Sequence, residues 1–245
     1  EIKQNNFLAN LKSELNATNF VGYNKHEIKA NLQRIVIKNE FKESVKAKSE
    51  NLILIFNSTP FYAESGGQVG DIGSVYNEKN ELVAEIVDTQ RTPGDIFLHF
   101  VNNNNLDLEI ESHYYLKINF ERRIKIRNNH SATHLLHESL RQIVGDHVSQ
   151  RGSLVNDDKL RFDYSSNKPL KISLTNKVEE LVNNSIRSNM KVIIQNKHLK
   201  NAIDEGAIAL FGEKYPDEVR VVSMKDNSKK NILTSIELCG GTHCE

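Results

Sequence analysis

Two short segments of the sequence each carry a pair of side chains that can bind a metal ion. His130 and His134 are separated by three residues, and Cys239 and His243 have the same spacing. On a helix, residues i and i+4 lie on the same face, so such a pair can supply two neighbouring ligands. Imidazole nitrogens combined with a thiolate favour Zn²⁺ in a tetrahedral arrangement. If the two pairs meet in the fold, they define a metal site.

Neighbouring residues leave the choice of ligands open. His137 follows His134 by three residues, so it is either a competing ligand or an ordinary solvated histidine. Cys244 could replace Cys239. A metalloprotease of the two-histidine type needs Glu directly after the first histidine as its general base, but Ser131 stands there. The sequence therefore argues against a metalloprotease of this type.

The first pair lies in a segment with helical periodicity. Apolar residues recur at three- and four-residue intervals over 126–144, which predicts a helix with one buried face. A second helix is predicted to start at Thr175, a residue type that caps helix N-termini, and a short helix is predicted over 199–204. The apolar residues of the second helix recur every four positions: Val178, Val182, Ile186 and Met190.

Short apolar segments between turn-prone residues predict strands in the first half of the chain. Their number and spacing are typical of a small barrel or sandwich. These predicted strands cover 32–38, 52–57, 73–76, 82–88, 97–101 and 114–120. The second half alternates helices with strands, which is typical of an α+β domain with helices packed on an antiparallel sheet. Its predicted strands cover 160–164, 192–195, 219–222 and 231–238.

Composition narrows the class of protein. The chain has 32 basic and 32 acidic residues, so a general positive field does not hold it to nucleic acid. A local basic stretch is either a phosphate contact or a solvated face. It contains Arg122, Arg123, Lys125 and Arg127.

The low cysteine content, two residues in all, fits a reducing cytoplasm, and no segment approaches the ~20 apolar residues of a membrane helix. Because the chain opens with Glu1 and has no leader, we expect a piece of a longer, cytoplasmic protein.

A glycine-rich stretch over 65–73 invites a nucleotide-binding interpretation. It lacks the GxGxxG spacing, no helical pattern follows it, and no lysine completes a phosphate-binding loop. A turn and bulge in a barrel strand is therefore the preferred interpretation.

Seven sequence blocks follow one another in a fixed order along the chain. They cover 20–23, 59–71, 130–137, 150–153, 160–163, 209–215 and 239–243. In these blocks the chain resembles the β-barrel and editing region of the alanyl-tRNA synthetase family, over nearly its whole length. Threonyl-tRNA synthetases, with a related editing domain, are the nearest confusable family. Block 209–215 is more similar to the full synthetase than to free-standing editing relatives.

The resemblance implies a fold and a division of the chain. The implied fold class is α+β, with a small N-terminal antiparallel β-barrel followed by a two-layer α+β editing domain with an antiparallel sheet. Residues 1–19 would be the helical remnant of a preceding tRNA-recognition region, 20–122 the β-barrel domain and 123–245 the zinc-binding editing domain. The aminoacylation core is not expected in this chain, so we do not expect it to charge tRNA.

The resemblance also implies an activity. Editing domains of this family hydrolyse the ester of tRNA(Ala) mischarged with serine or glycine. Such proofreading is needed because a pocket built for alanine rejects a smaller residue or one added hydroxyl only ~10²-fold. The implied partner is the acceptor end of tRNA(Ala) with 3′-linked serine or glycine. Neither a membrane nor an obligate protein partner is expected.

Residue roles carry over position by position. The implied zinc ligands are His130, His134, Cys239 and His243. His130 and His134 also count as catalytic, together with Thr133 and Gln150, which are assigned to substrate discrimination. Thr133 is the candidate to meet the serine hydroxyl; alternatively, it bonds its own helix backbone.

The role of zinc and two rival functions stay open. Four protein ligands are typical of structural zinc, whereas catalytic zinc keeps an open position. Either one ligand is displaced so that a water on zinc attacks the ester, or zinc shapes a pocket in which neighbours position the water. One rival is a zinc-stabilised RNA-binding module without turnover. The other is a free-standing trans-editing protein.

Overall fold

The computed structural model describes residues 14–166, 169–209, 214–225 and 234–244. The chain divides into two compact units. The first comprises Glu1–Glu64 and Val69–Arg123, and the second comprises Ser65–Gln68 and Ile124–Glu245. Four residues of the glycine-rich stretch are thus grouped with the second unit. Most of the predicted N-terminal helical remnant lies outside the described residues, and the three-part division stays a prediction.

The first unit is built on a closed antiparallel barrel. Its strands are β1 (Asn19–Phe20), β2 (Glu27–Ile37), β3 (Glu40–Lys42), β4 (Ser44–Val45), β5 (Glu50–Phe56), β6 (Ser58–Thr59), β7 (Gly73–Tyr76), β8 (Leu82–Arg91), β9 (Phe97–Asn104), β10 (Leu108–Glu109) and β11 (His113–Ile118). Six of them follow the order β11-β7-β8-β9-β5-β2, and pairing of β11 with β2 closes the ring. β3 extends the sheet from β2, β1 pairs with β6, and β4 pairs with β10.

Alternating side chains fill the barrel interior. Period-two alternation turns one side chain in two inward. Several of the inward residues are completely buried, and burying each large apolar side chain contributes about 1.5–3 kcal/mol. They include Leu32, Leu54, Phe56, Val75 and Leu116. The predicted small N-terminal barrel is therefore confirmed.

A buried ion pair lies outside this apolar interior, still within the first unit. The Arg123 guanidinium donates to both carboxylate oxygens of Asp71 and to the carbonyls of Gly22 and Pro60. Arg123 is fully buried, and Arg127 is buried as well, while Lys125 is exposed. Neither interpretation left open for the basic stretch, a phosphate contact or a solvated face, therefore applies to its two buried arginines. A charge run with no apolar period gave no sign that two of its members turn inward.

The second unit places helices on a three-stranded antiparallel sheet. Its elements are the helices α1 (Phe120–Val144), α2 (Ile172–Arg187) and α3 (Leu199–Asp204), the hairpin β12 (Gln150–Val155) and β13 (Leu160–Tyr164), and the sheet strands β14 (Lys191–His198), β15 (Glu218–Lys225) and β16 (Ser235–Leu238). The first four residues of α1 belong to the first unit. Sheet order is β14-β15-β16. Leu135 of α1 packs with Val222 and Met224 of β15, while α3 packs Ala202 against Val221. The predicted α+β class is confirmed.

Helix α1 starts earlier than the sequence pattern indicated. Its first turn contains charged residues without apolar period, so the prediction began at 126. The start is set by Asn119, whose Oδ1 accepts the backbone N–H of Arg122 at 3.0 Å. Asparagine is among the strongest N-cap residues, and Glu121 in the first turn complements the helix dipole. Local capping therefore extends the helix beyond its apolar stripe.

Helix α2 also starts earlier than predicted. Lys171 is its N-cap residue, and Thr175 lies within the first turn, where its hydroxyl donates to the Lys171 carbonyl at 3.3 Å. A threonine hydroxyl can bond a carbonyl four residues back as well as cap a helix, which explains the wrong start. Met190 lies beyond the end of α2, and 231–233 of the predicted last strand lie outside the described residues.

Among the described residues, no helix is both long enough and apolar enough to cross a membrane.

Candidate metal centre

Helix α1 presents the first histidine pair on one face. The rings of His130 and His134 lie 5.3 Å apart between centroids and are nearly parallel, at 7°. Both residues are buried. This is the stacking expected for i and i+4 on a straight helix. The helix thus aims two imidazoles into the same region of the second unit.

The loop after β16 carries the other pair. The Cys239 backbone N–H donates to the Arg220 carbonyl at 3.0 Å, and the Arg220 guanidinium donates to the carbonyls of Cys239 and Gly241. A Cβ on Gly241 would lie 2.1 Å from Cε1 of His130. Only glycine lets the loop backbone come this close to the imidazole. Gly241 therefore has a steric role in the motif.

The two pairs meet. The ligand atoms of the four side chains lie within 4.8 Å of one another, and the four residues are His130, His134, Cys239 and His243. The Cys239 sulfur lies 3.5 Å from Nε2 of His130 and 3.3 Å from Nε2 of His243. Tetrahedral zinc with ordinary Zn–N and Zn–S bonds separates nitrogen from sulfur by about 3.6 Å.

Two further observations test whether this set fits zinc. Nε2 of His134 is buried and has no hydrogen-bond partner among the described residues, as expected for a nitrogen that serves as a metal ligand. Three imidazoles with one thiolate are a donor set that zinc accepts. The residues present therefore fit zinc, and their assignment as zinc ligands stays a prediction.

Gln68 is a partner of the cluster that sequence reasoning missed. Its Oε1 lies 2.8 Å from Nδ1 of His130 and accepts the backbone N–H of Thr242 at 2.8 Å. Its side-chain amide also lies within hydrogen-bond distance of the Thr242 hydroxyl. Gln68 thereby fixes the proton of His130 on Nδ1 and ties α1 to the cysteine loop. Its position in the glycine-rich stretch was the available signal.

The glycine-rich stretch has a different place from the predicted one. Ser65 and Gln68 exchange backbone hydrogen bonds in a tight turn, and the carbonyl of Gly67 accepts the N–H of Val155 at 2.7 Å. Gly67 has φ +84°, and a Cβ there would lie 2.0 Å from the Ser153 hydroxyl. Over 65–68 the predicted turn is present, but its placement as a bulge in a barrel strand is wrong, because this turn packs on β12 in the second unit.

Glu237 is the second partner that sequence reasoning missed. Its Oε2 lies 2.9 Å from Nδ1 of His134, and its Oε1 lies 3.1 Å from Nδ1 of His137. The sequence contains no signal for this contact beyond the closeness of Glu237 to Cys239. A carboxylate behind a ligand histidine fixes its tautomer and orientation.

The charge balance of the cluster favours a cation. Burial raises the pKa of the Cys239 thiol, but His130, His243 and His134 outweigh burial and hold that pKa well below its ordinary value. Burial lowers the pKa of His134, but Glu237 and Cys239 outweigh it and raise the pKa to about 10. Burial lowers the pKa of His243 to about 3. A thiolate and a carboxylate thus stabilise positive charge at His134, where a metal cation would replace the proton.

The alternative ligands lie elsewhere. His137 faces Glu237 and is not a member of the cluster found among the described residues. Cys244 places its sulfur 3.2 Å from Oδ1 of Asn128, while its backbone N–H donates to the Ser131 hydroxyl. Of the two cysteines, only Cys239 therefore joins the histidines.

The two predicted discrimination residues occupy different elements. Thr133 is buried on α1, and its hydroxyl donates to the Asn129 carbonyl at 2.8 Å. Gln150 is half-buried at the start of β12, and its amide donates to the Ser153 hydroxyl at 3.2 Å. Ser153 also packs against Gly67 in the turn that ends with Gln68. The roles assigned to Thr133 and Gln150 stay predictions.

Comparison with known proteins identifies relatives of the chain. Residues 2–122 match the family model described as tRNA synthetases class II (A). An alanine–tRNA ligase from Chelativorans sp. (strain BNC1) is 43% identical over 236 residues, which cover 95% of this chain and 26% of that protein. Alanine–tRNA ligases from Sinorhizobium medicae (strain WSM419) and Rhizobium meliloti (strain 1021) are each 44% identical over the same shares.

These relatives are much longer than the chain, which spans about a quarter of their length. The match nevertheless covers both units and all four cluster residues lie in the chain itself. The resemblance deduced from the seven sequence blocks is therefore confirmed, since the chain is similar to alanine–tRNA ligases along 95% of its length.

Proposed function

We propose that this chain hydrolyses the ester bond of tRNA(Ala) mischarged with serine or glycine, with 123–245 as its editing domain. The observation that carries this proposal is the buried cluster of three imidazoles and one thiolate in a relative of alanine–tRNA ligases. The proposed partner is the acceptor end of tRNA(Ala), and the proposed location is the cytoplasm.

The cluster residues would hold the metal in a defined orientation. When bound, zinc supplies Lewis-acid chemistry that favours attack on an ester carbonyl. The side-chain oxygens of Gln68 and Glu237 accept hydrogen bonds from Nδ1–H of His130 and His134. Nε2 of each ring is therefore the nitrogen that can bind the metal. The site therefore needs no rearrangement of these two histidines before the metal enters.

Thr133 is proposed to recognise the serine hydroxyl. Its own proton is engaged with the Asn129 carbonyl, so the hydroxyl oxygen can only accept a hydrogen bond from the substrate. This hydroxyl contact favours serine over alanine, which lacks the hydroxyl, by far more than size alone allows. Hydrolysis of Gly-tRNA(Ala) does not use this contact. Gln150 is proposed to contact the substrate from β12.

Deacylation of purified tRNA tests the proposal. Zinc-loaded protein at micromolar concentration is expected to release serine from Ser-tRNA(Ala) and glycine from Gly-tRNA(Ala), leaving Ala-tRNA(Ala) intact. A chelator should abolish release. Thr133→Val should slow serine release about tenfold or more while glycine release, which involves no hydroxyl, serves as the matched internal control. Unchanged Ser-tRNA(Ala) with zinc-loaded protein contradicts the proposal.

The closed geometry favours a second candidate, a zinc-stabilised RNA-binding module. Four protein donors around one point are typical of structural zinc. This module would bind tRNA and one zinc ion without turnover, and Cys239→Ala would unfold it. Tight tRNA binding with no ester hydrolysis by the zinc-loaded chain would favour this candidate over the first.

A further inference from the structure

The Glu237 carboxylate joins two histidines, only one of which belongs to the metal cluster. One oxygen faces Nδ1 of His134 at 2.9 Å, and the other faces Nδ1 of His137 at 3.1 Å. The Ser235 hydroxyl also donates to the oxygen that faces His137, at 3.3 Å. Each carboxylate oxygen therefore accepts from a different imidazole.

Among the described residues, Glu237 is the only hydrogen-bond partner of the His137 side chain. It is 2% exposed, its ring lies 5.1 Å from that of Phe162, and its Nε2 has no hydrogen-bond partner among the described residues. A proton on Nδ1 satisfies the N–H and leaves only an acceptor unpaired, which is the less costly arrangement. His137 thus has neither the position of a ligand nor the exposure of a solvated histidine.

A buried carboxylate needs partners for both oxygens. Glu237 is 5% exposed, and an unpaired carboxylate there would carry a desolvation cost of several kcal/mol. Among the described residues, the side chains within hydrogen-bond or ion-pair distance of it are His134, His137 and Ser235. Removing His137 therefore leaves one oxygen with a single neutral donor and frees the carboxylate to turn away from His134.

We propose that Glu237 and His137 are a pair of positioning residues for the metal site. His137 holds the carboxylate in the orientation that accepts Nδ1–H of His134, and the carboxylate in turn directs Nε2 of His134 to the ion. Partners of ligand histidines change metal affinity about 10–100-fold when removed. This inference deepens the proposed function and rests on it only in taking zinc as the metal.

Zinc affinity measured by competition with a chromophoric chelator tests the pair. His137→Phe and Glu237→Ala are each expected to weaken zinc binding about 10–100-fold. The double variant is expected to bind no more weakly than Glu237→Ala alone, because His137 acts through Glu237. His137→Gln, which keeps a side-chain N–H, should recover most of the affinity. Ser139→Ala is the matched control, a buried position on α1 whose hydroxyl contacts Val178, and it should bind as the wild type does.

The outcomes separate this inference from the proposed function. Wild-type affinity in His137→Phe, or a double variant whose loss is the sum of the single losses, overturns the positioning pair even when the wild type deacylates tRNA. Should His137→Phe fail to fold, His137→Leu takes its place in the chelator competition. A cobalt(II) absorption spectrum that Glu237→Ala alters but His137→Leu leaves unchanged also overturns the pair. A wild type that binds no zinc contradicts both proposals.

Discussion

At the scale of single residues, the cluster depends on side chains that fix the protons of its histidines. Gln68 holds the proton of His130 on Nδ1, and Glu237 does the same for His134. Both rings therefore present Nε2 toward Cys239 and His243. No such partner of His243 is found among the described residues, where its Nδ1 is buried without a hydrogen bond. His130 and His134 are thus the better preorganised ligands.

Removing the Gln68 amide should leave the ring of His130 on α1 less firmly oriented and weaken zinc binding. Gln68→Ala deletes the acceptor for His130 and the link to Thr242, and zinc affinity is expected to fall about 10–100-fold. Gln68→Glu keeps an acceptor oxygen at the same place and should lose much less. Chelator competition measures both variants, and equal affinity of Gln68→Ala and wild type would show that His130 needs no partner.

At the scale of elements, a helix and a loop each position two of the four candidate ligands. Helix α1 supplies a rigid i, i+4 pair, whereas the loop after β16 depends on the Arg220 guanidinium and on close approach of its backbone to His130. The loop tolerates a Cβ at one glycine and not at the other. Nothing lies within 4 Å of a Cβ built on Gly240, but one on Gly241 collides with the ring.

This difference gives a matched pair of substitutions. Gly241→Ala should force His130 and the loop apart and reduce the bound zinc well below one ion per chain, because metal sites tolerate ligand shifts of only a few tenths of an ångström. Gly240→Ala should keep full zinc content. Elemental analysis of the two purified variants measures this, and equal zinc in both would contradict the steric role of Gly241.

The sequence predicted the helix pair and the cysteine loop because their ligands recur at local spacing. The barrel strands were predictable for the same reason, from short apolar segments between turn-prone residues. Gln68 and Glu237 were not, since their contacts with His130 and His137 join residues 62 and 100 positions apart. Arg123 was left open as a phosphate contact or part of a solvated face, and only the fold reveals that Asp71 pairs with it in the interior. Local pattern thus predicted the donors but not the residues that orient them.

At the scale of the whole molecule, zero net charge leaves the proposed tRNA binding to local groups. The chain has equal numbers of acidic and basic residues, and two arginines of the basic stretch are buried. Lys125 is the exposed member of that stretch. Two of its four basic side chains are therefore not at the surface for the proposed tRNA partner.

Stability of the first unit should depend on the protonation of His99. This histidine is fully buried in the barrel, between the Leu54 carbonyl and the Thr59 hydroxyl. Burial lowers the pKa of His99 from 6.5 to about 4. Because the unfolded chain takes up this proton first, stability is full above pH 6.5 and falls as the pH drops toward 4.

From pH 7 to pH 5 the expected loss is about 2 kcal/mol of unfolding free energy. Urea unfolding followed by tyrosine fluorescence at both pH values measures it. His99→Gln, which keeps hydrogen-bonding groups but does not titrate, should remove that part of the pH dependence. Identical pH dependence in the wild type and His99→Gln would contradict the assignment.

X-ray absorption at the zinc K-edge of the purified protein tests most directly whether His130, His134, Cys239 and His243 hold one zinc ion. We expect one zinc per chain with nitrogen neighbours at about 2.0–2.1 Å and a single sulfur neighbour at about 2.3 Å. Cys239→Ser should remove the sulfur signal, and Cys244→Ser should leave it unchanged. A zinc-free, folded protein, or a sulfur signal that persists in Cys239→Ser, would contradict the proposed metal site.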